Sequence, residues 1–499
     1  MPEPPRQLFT MLSRALEGAV RDGNPWWRGE QLYGLPSMRR WLFTPLLTGL
    51  KSGLAPVQVL RGPRQVGKTT LLNQIVSELL ASNVQPHRIL RVQFDELPSL
   101  KDVETPVLEI ARWFSENILK KGFHEAAAAG EQAYILLYEV QNLPDWAPQL
   151  KHLADMNPVR ALVTGSSALR IEAGRDSLAG RVTTFDLGPL LLREIGELRD
   201  LGAIDPFLPP NGIAPLKEKR TWLDLRAFGA GCAELRHAAF EAFSERGAYP
   251  VAQSRFQEPF ESMTAFLNET VVQRVIQHDL RMGPREQKRD EHLLEEVFRL
   301  ACRYLGQAPG QALYLDEIRK AMNANIGWQR VLKYLKFLDG TLLIRLIEPP
   351  ELRLKKQKGT PKVCLCDHIL RAAWLHETVP LSARQLEIHS HLADLAGHVA
   401  ESTAGYFLRS LRGIDVAHFP ERGVEPEVDF VVTIGEQRIP VEVKYRRRIE
   451  YKDTAGLRSF LEKTHYNAPF GVLVTLRDDA ATEDPRIVSI PLSSLHLLR

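Results

Sequence analysis

The segment Gly62-Pro-Arg-Gln-Val-Gly-Lys-Thr69 constrains this chain more than any other, because it stands between an apolar run, Pro56 to Leu60, and an amphipathic run, Lys68 to Leu80. A strand that passes into a helix through such a loop turns its backbone N–H groups toward phosphates at the helix N-terminus. In that setting Lys68 reaches the β- and γ-phosphate oxygens and Thr69 holds Mg2+, while Gly62, Pro63, Arg64, Gln65, Val66, Gly67 and Thr70 complete the cradle. The sequence therefore predicts a P-loop that takes ATP and Mg2+.

Apolar runs follow at Arg88 to Phe94, Tyr134 to Tyr138, Ala161 to Thr164 and Thr183 to Leu187, separated by helical stretches. Buried strands alternating with helices imply an α/β fold with a parallel sheet, whose ligand lies at the strand C-terminal ends. The second run stops at Asp95-Glu96. The third ends Tyr138-Glu139-Val140-Gln141, where a P-loop ATPase carries an Asp for the Mg2+ shell followed by a Glu that positions the attacking water. Glu139 is present, as catalytic base or as a capping residue, but Tyr138 stands in the Asp place. A phenol lacks the charge of a carboxylate, so slow turnover is expected unless Asp95 substitutes as a metal ligand. Thr164-Gly-Ser166-Ser167 stands where a γ-phosphate sensor would be, or caps a helix. Beyond it, Arg175 and Arg181 are candidates for an arginine that completes a neighbouring subunit's ATP site. Arg181 is the better one, against the alternative of a surface salt bridge.

Size and composition narrow the rest. With 499 residues, 44% hydrophobic and 25% charged, the chain reads as an ordinary globular protein of roughly three domains. No apolar stretch is long enough to span a bilayer and the start, Met1-Pro-Glu-Pro-Pro-Arg6, lacks signal-peptide order, so a cytoplasmic protein without a membrane partner is expected. Cys232, Cys302, Cys364 and Cys366 form no metal-binding pairs and read as buried thiols. A net charge of +3 identifies no nucleic-acid partner by itself.

After a Pro- and Gly-containing linker the chain becomes helical near Leu235 to Glu245, as a lid would. Three helices are then expected at Leu293 to Tyr304, Leu315 to Asn323 and Trp328 to Asp339, followed by a strand, Thr341 to Ile347, and a basic segment, Arg353 to Lys358. That is the order of a winged helix. Val331, Leu332, Leu335 and Leu338 make an inward stripe on the third helix. Gln329, Arg330, Lys333 and Lys336 lie outside it, as a nucleic-acid face or as a solvated one.

Near the C-terminus, Gly435-Glu436 reads as a two-residue hairpin turn. Counting outward pairs Ile434 with Gln437, Val432 with Ile439, Phe430 with Val441 and Val428 with Val443. Asp429 then faces Glu442, with Lys444 two residues on. Facing carboxylates repel unless a cation lies between them, and Mg2+ is the usual solution, with the lysine acting on metal-bound water. Glu401, on an amphipathic stretch from Leu392 to Leu411, is a third ligand candidate. The alternative is a surface pair closed by Lys444.

Taken together, Leu60 to Thr70, Glu139-Val-Gln141, Thr164 to Ser167, Ser177 to Arg181 with Pro189 to Glu194, and Glu427-Val-Asp429 with Val441-Glu-Val-Lys444 resemble the bacterial and archaeal AAA-type ATPases that end in an uncharacterised domain related to PD-(D/E)XK nucleases. The resemblance implies a P-loop AAA-type core at 47–200, a helical lid and linker at 201–290, a winged-helix segment at 291–350 and a nuclease-like α/β domain at 351–499. Residues 1–46 stand outside it as an extension. It also implies Lys68 and Thr69 at nucleotide and Mg2+, Glu139 as the glutamate that serves hydrolysis, and Asp429, Glu442 and Lys444 as a nuclease-type triad. Two functions are expected: an ATP-controlled, metal-dependent nuclease for nucleic-acid processing or defence, or a slow ATP switch with a non-catalytic nuclease-like scaffold. A third, weaker reading is an accessory that remodels partners.

Overall fold

The computed structural model describes residues 12–97, 103–143, 145–165, 178–208, 212–279, 290–352, 355–356, 359–421, 423 and 425–499. The chain forms two compact units, one running through Leu187 apart from Arg64–Val66, the other beginning at Gly188. No helix among the described residues is long and apolar enough to cross a membrane.

The first unit holds a five-stranded sheet in the order β2-β3-β4-β1-β5. Its strands are β1 (Val57–Arg61), β2 (Ile89–Gln93), β3 (Ala133–Tyr138), β4 (Val159–Gly165) and β5 (Val182–Asp186). All neighbours are parallel. Its helices are α1 (Arg14–Asp22), α2 (Phe43–Ser52), α3 (Lys68–Ala81), α4 (Pro106–Phe114), α5 (Phe123–Ala128) and α6 (Trp146–Met156). Helices covering both faces require strands that are apolar on both sides, and every residue of β1 and β3 is buried. Val59, Leu90, Ile135 and Val163 share one core with Phe114 and Trp146.

The expected N-terminal extension is no appendage. Asn24 is fully buried, its Nδ2 donating to Arg91 O at 2.8 Å while its Oδ1 accepts from Arg91 N at 2.7 Å. One side chain thus satisfies the backbone of edge strand β2 as a neighbouring strand would. Trp26 and Trp27 donate their indole N–H groups to Ile89 O on the same edge, at 3.1 and 3.0 Å. Gln74 of α3 ties the segment down further, donating to Pro36 O and Met38 O.

The second unit begins with α7 (Leu192–Leu198), α8 (Lys219–Gly231), α9 (Ala233–Arg246), α10 (Pro250–Ser254) and α11 (Phe260–Leu267). Within this unit the helices expected as a lid reach the C-terminal part of the chain: Arg236, only 1% exposed, pairs with Asp478 at 2.7 Å and Arg226 donates to Ser489 Oγ at 3.0 Å. Three helices follow, α12 (Glu291–Arg303), α13 (Gln311–Met322) and α14 (Trp328–Gly340), then β6 (Ile344–Ile347), β7 (Glu351–Leu352), β8 (Lys355–Lys356) and β9 (Lys362–Leu365). β7 pairs with β8 and β6 with β9, Ile347 opposite Lys362. The boundary expected at 350/351 therefore falls inside a strand pair. Arg353 and Lys358 of the basic segment lie outside the described residues.

The rest comprises α15 (Ile369–Leu375), α16 (Ala383–Ile388), α17 (Ala393–Ser410), β10 (Asp415–Phe419), β11 (Val428–Ile434), β12 (Gln437–Lys444), α18 (Ala455–Leu461), β13 (Gly471–Thr475), β14 (Ile487–Pro491) and α19 (Leu492–Leu495). Strands β10 to β14 form one mixed sheet in sequence order, antiparallel from β10 to β12 and parallel from β12 to β14. The β11/β12 register is the one counted from the turn, with Ile434 opposite Gln437 and Phe430 opposite Val441. Gly435 has φ +63, which a glycine adopts without strain.

Candidate nucleotide site and carboxylate centre

Strand β1 delivers the P-loop to the N-terminus of α3. Gln65 and Gly67 have φ of 64 and 88, turning the loop tightly before Lys68 opens the helix. The Lys68 ammonium donates to Gly62 O at 2.9 Å and Pro63 O at 2.8 Å, bonds that ATP would replace with phosphate oxygens. Thr69 is exposed in the first turn of α3, where a hydroxyl can join the Mg2+ shell of a bound nucleotide. Cradle and helix N-terminus fit ATP with Mg2+.

At the end of β3 the chain turns sharply at Glu139, whose φ of 52 is left-handed and costs a non-glycine residue on the order of 1 kcal/mol. Two contacts hold it there: its N–H donates to Thr164 Oγ1 at 3.3 Å, and Gln141 Nε2 donates to its carboxylate at 2.5 Å. The strained turn aims the Glu139 carboxylate, and Gln141 fixes its direction. Tyr138 is 1% exposed and donates its hydroxyl to Asn73 Oδ1 at 2.9 Å, which Arg91 also reaches at 3.1 Å. Burial pushes the phenol's pKa well up, against the pull of Arg91, so it stays neutral.

Asp95 sits exposed after edge strand β2, one strand farther from β1 than Tyr138. Arg181 precedes β5, and its carbonyl accepts from Val57 N at the start of β1. It therefore lies at the sheet end opposite the P-loop, paired with Asp155 of α6 and bonded to Ala179 O at 3.0 Å. That placement removes it from its own chain's ATP site. Ser166, Ser167 and Arg175 lie outside the described residues. Glu194 is fully buried, and its carboxylate accepts from Leu191 N at 2.8 Å, capping α7.

In the second unit the carboxylates converge in a way the hairpin alone does not dictate. Glu401 of α17, Glu427 before β11 and Asp429 of β11 each place a carboxylate oxygen within 4.8 Å of the others. Glu442 is not one of that set: its Oε1 accepts from Lys444 Nζ at 2.5 Å, and its buried Oε2 has no hydrogen-bond partner among the described residues. Asp429 Oδ2 accepts from Val443 N at 2.8 Å. The cation at the focus is Lys362, which is 1% exposed. Its ammonium pairs with Glu401 and lies 3.2 Å from both Glu427 Oε1 and Asp429 Oδ1.

The charges are mutually determined. Burial disfavours the Lys362 ammonium, yet Glu401, Asp429 and Glu427 together raise its pKa well above the usual lysine range. Burial would raise Asp429, but Lys362 and Lys444 hold it low. Glu442, buried beside Asp429, is pushed up to about 8. Asp429 and Glu442 are buried, at 7% and 6% exposure, which leaves no place for the alternative of a surface pair. As arranged, the centre does not fit Mg2+: its ligands must close to roughly 2.1 Å, and an ammonium stands where they meet.

Sequence reasoning brought Glu401 and Asp429 together but missed Lys362, Glu427 as an ion-pair partner, and Asn73. A signal for Lys362 existed, since it continues the apolar alternation of Cys364 and Cys366 and is a charged residue at a core position. Those two cysteines and Cys302 are buried, and Cys232 partly so.

Residues 55–196 match the family described as AAA domain, and residues 397–495 match a domain of unknown function, DUF4143. The first unit has the fold of an AAA-type ATPase. Over 136 residues the chain is 34% identical to an uncharacterized protein, MJ1637, of Methanocaldococcus jannaschii, covering 27% of this chain and 26% of that one. Over 180 residues it is 31% identical to an uncharacterized protein, Rv2008c, of Mycobacterium tuberculosis, covering 36% and 34%. The matches thus span about a quarter to a third of these relatives' lengths. Among solved structures it is similar to the Walker-type ATPase paby2304 of Pyrococcus abyssi, with 14% identity, TM-score 0.38 and coverage of 68% of this chain and 98% of that one. It is also similar to the Thermotoga maritima RuvB Holliday junction branch migration motor, with 14% identity, TM-score 0.25 and coverage of 62% and 89%.

Proposed function

We propose that this chain is an ATP switch: an AAA-type ATPase that holds ATP and Mg2+ in its P-loop, hydrolyses it slowly, and carries its C-terminal mixed sheet as a scaffold. The observation that carries this is the Tyr138 hydroxyl bonded to Asn73, which leaves the end of β3 with one carboxylate, Glu139. Glu139, steered by Gln141, orients the attacking water. The Mg2+ shell lacks its usual second anchor, and slow turnover follows. Binding of a fluorescent ATP analogue and single-turnover hydrolysis test this together. Wild-type protein should bind, Lys68→Ala should not, and turnover should fall far below the ~10 per second typical of enzymes. Turnover at that typical rate would sink the reading.

A second reading is a metal-dependent phosphodiesterase acting on nucleic acid: Asp429, Glu442 and Lys444 lie on adjacent strands, and Lys362 would have to leave Asp429 before a metal could enter. The exposed Gln329, Arg330, Lys333 and Lys336 of α14 would meet phosphates, although Arg330 is already paired with Asp290 at 3.0 Å. On this reading Arg181 serves a neighbouring copy in an assembly. Incubation with DNA or RNA and Mg2+ or Mn2+, with and without ATP, decides it: cleavage lost in Glu442→Ala supports the nuclease, and no cleavage removes it.

A further inference from the structure

Lys362 arrives at the carboxylate centre from β9, far from the hairpin in sequence and on a different strand pair. Its three partners, Glu401, Glu427 and Asp429, are the same three carboxylates that converge within 4.8 Å. Three oxygen donors from a helix, a loop and a strand around one point could supply the protein's share of a divalent cation's shell, with water completing it. An ammonium and such an ion do not share that point.

Nor is Lys362 free to leave. Its neighbours Val363 and Cys364 are fully buried, and β9 is fixed to β6 from Leu365 to Lys362. Withdrawing the ammonium would strand buried carboxylates without their counter-charge, which is far costlier than never burying them.

We propose that Lys362 is the resident cation of this centre: its ammonium takes the place of a divalent metal, and Glu401, Glu427 and Asp429 anchor β9 instead of ligating an ion. Metal binding is latent in the three carboxylates and is exposed by removing the lysine. This deepens the scaffold half of the proposed function, and because it concerns nucleotide-free protein its failure leaves the ATP reading standing.

The test is a Mn2+ titration of nucleotide-free full-length protein, followed by the electron paramagnetic resonance of free Mn2+ and by the melting temperature. Wild type should take up no Mn2+ that Asp429→Asn removes, and Mn2+ should not raise its melting temperature. Lys362→Met keeps the apolar stem, one atom shorter, and removes the charge. It should gain one Mn2+ per chain with affinity improved about tenfold or more, and lose it again in Lys362→Met/Asp429→Asn. Wild-type uptake that disappears in Asp429→Asn overturns the proposal, as does a folded Lys362→Met that binds no better than wild type. Should Lys362→Met fail to fold, the wild-type titration decides alone: no uptake at Asp429 supports the resident lysine, and uptake there rejects it.

Discussion

Tyr138 donates to Asn73 one helical turn beyond Thr69, so the phenol spans from β3 to α3 past the place where a shorter carboxylate would face the Mg2+ shell. Tyr138→Asp should therefore raise single-turnover hydrolysis while lowering stability, since the ring's buried area and the Asn73 bond are both lost. Large-to-small core changes of this kind cost about 3–5 kcal/mol. A folded Tyr138→Asp protein that hydrolyses ATP no faster would show that another step limits the site.

Asn24→Ala removes both bonds to Arg91 and leaves a half-buried N–H of the edge strand without its partner. The expected loss is about 1–3 kcal/mol in urea denaturation of the full chain. Wild-type stability in the variant would return residues 12–46 to the status of a loose extension.

Gly405 lies one turn after Glu401 on α17, and a Cβ there would meet Cys364 Sγ at 2.6 Å and Phe430 ring atoms at 2.7 Å. The missing side chain lets α17 approach β9 closely enough for Glu401 to meet Lys362. Gly405→Ala should destabilise the second unit by about 1–3 kcal/mol through overpacking. Equal melting temperatures for variant and wild type would contradict that close packing.

Two buried histidines give a pH dependence of known sign. Burial lowers the pKa of His418 to about 4 and that of His496 to about 3, against 6.5 as the ordinary value. Each binds its proton more readily unfolded, so its contribution is fully present above pH 6.5. It is lost as pH falls, through about 4 for His418 and about 3 for His496. Each proton is worth about 1.4 kcal/mol per pH unit in that window. His496 stacks on Phe407 at 4.6 Å between ring centroids, so His496→Phe should keep the packing and flatten the slope of urea stability between pH 6.5 and 4.5. An unchanged slope would exclude His496 as a source.

The parts legible in the sequence were those fixed by local rules. A two-residue turn at Gly435 sets the β11/β12 register, in which alternate steps place Val432 opposite Ile439 and Phe430 opposite Val441 on one face. The P-loop is similarly local, and so is Glu139-Val-Gln141, where the amide two residues on holds the carboxylate. What was not legible depends on long side chains meeting across the fold. Lys362 and Asp429 are 67 residues apart, and nothing in either neighbourhood names the other. Asn24 and Arg91 are equally distant, and an asparagine that mimics a strand has no periodicity to betray it.

Strand β9 answers to two masters: its backbone completes the ribbon with β6, and its first side chain neutralises α17 and β11. A chimaera spliced at residue 350, where composition suggests a joint, would part β9 from β6, so the strand that carries Lys362 to its carboxylates would lose its native partner. For exchanging parts between relatives, the natural seam is near residue 188, where one compact unit ends and the other begins.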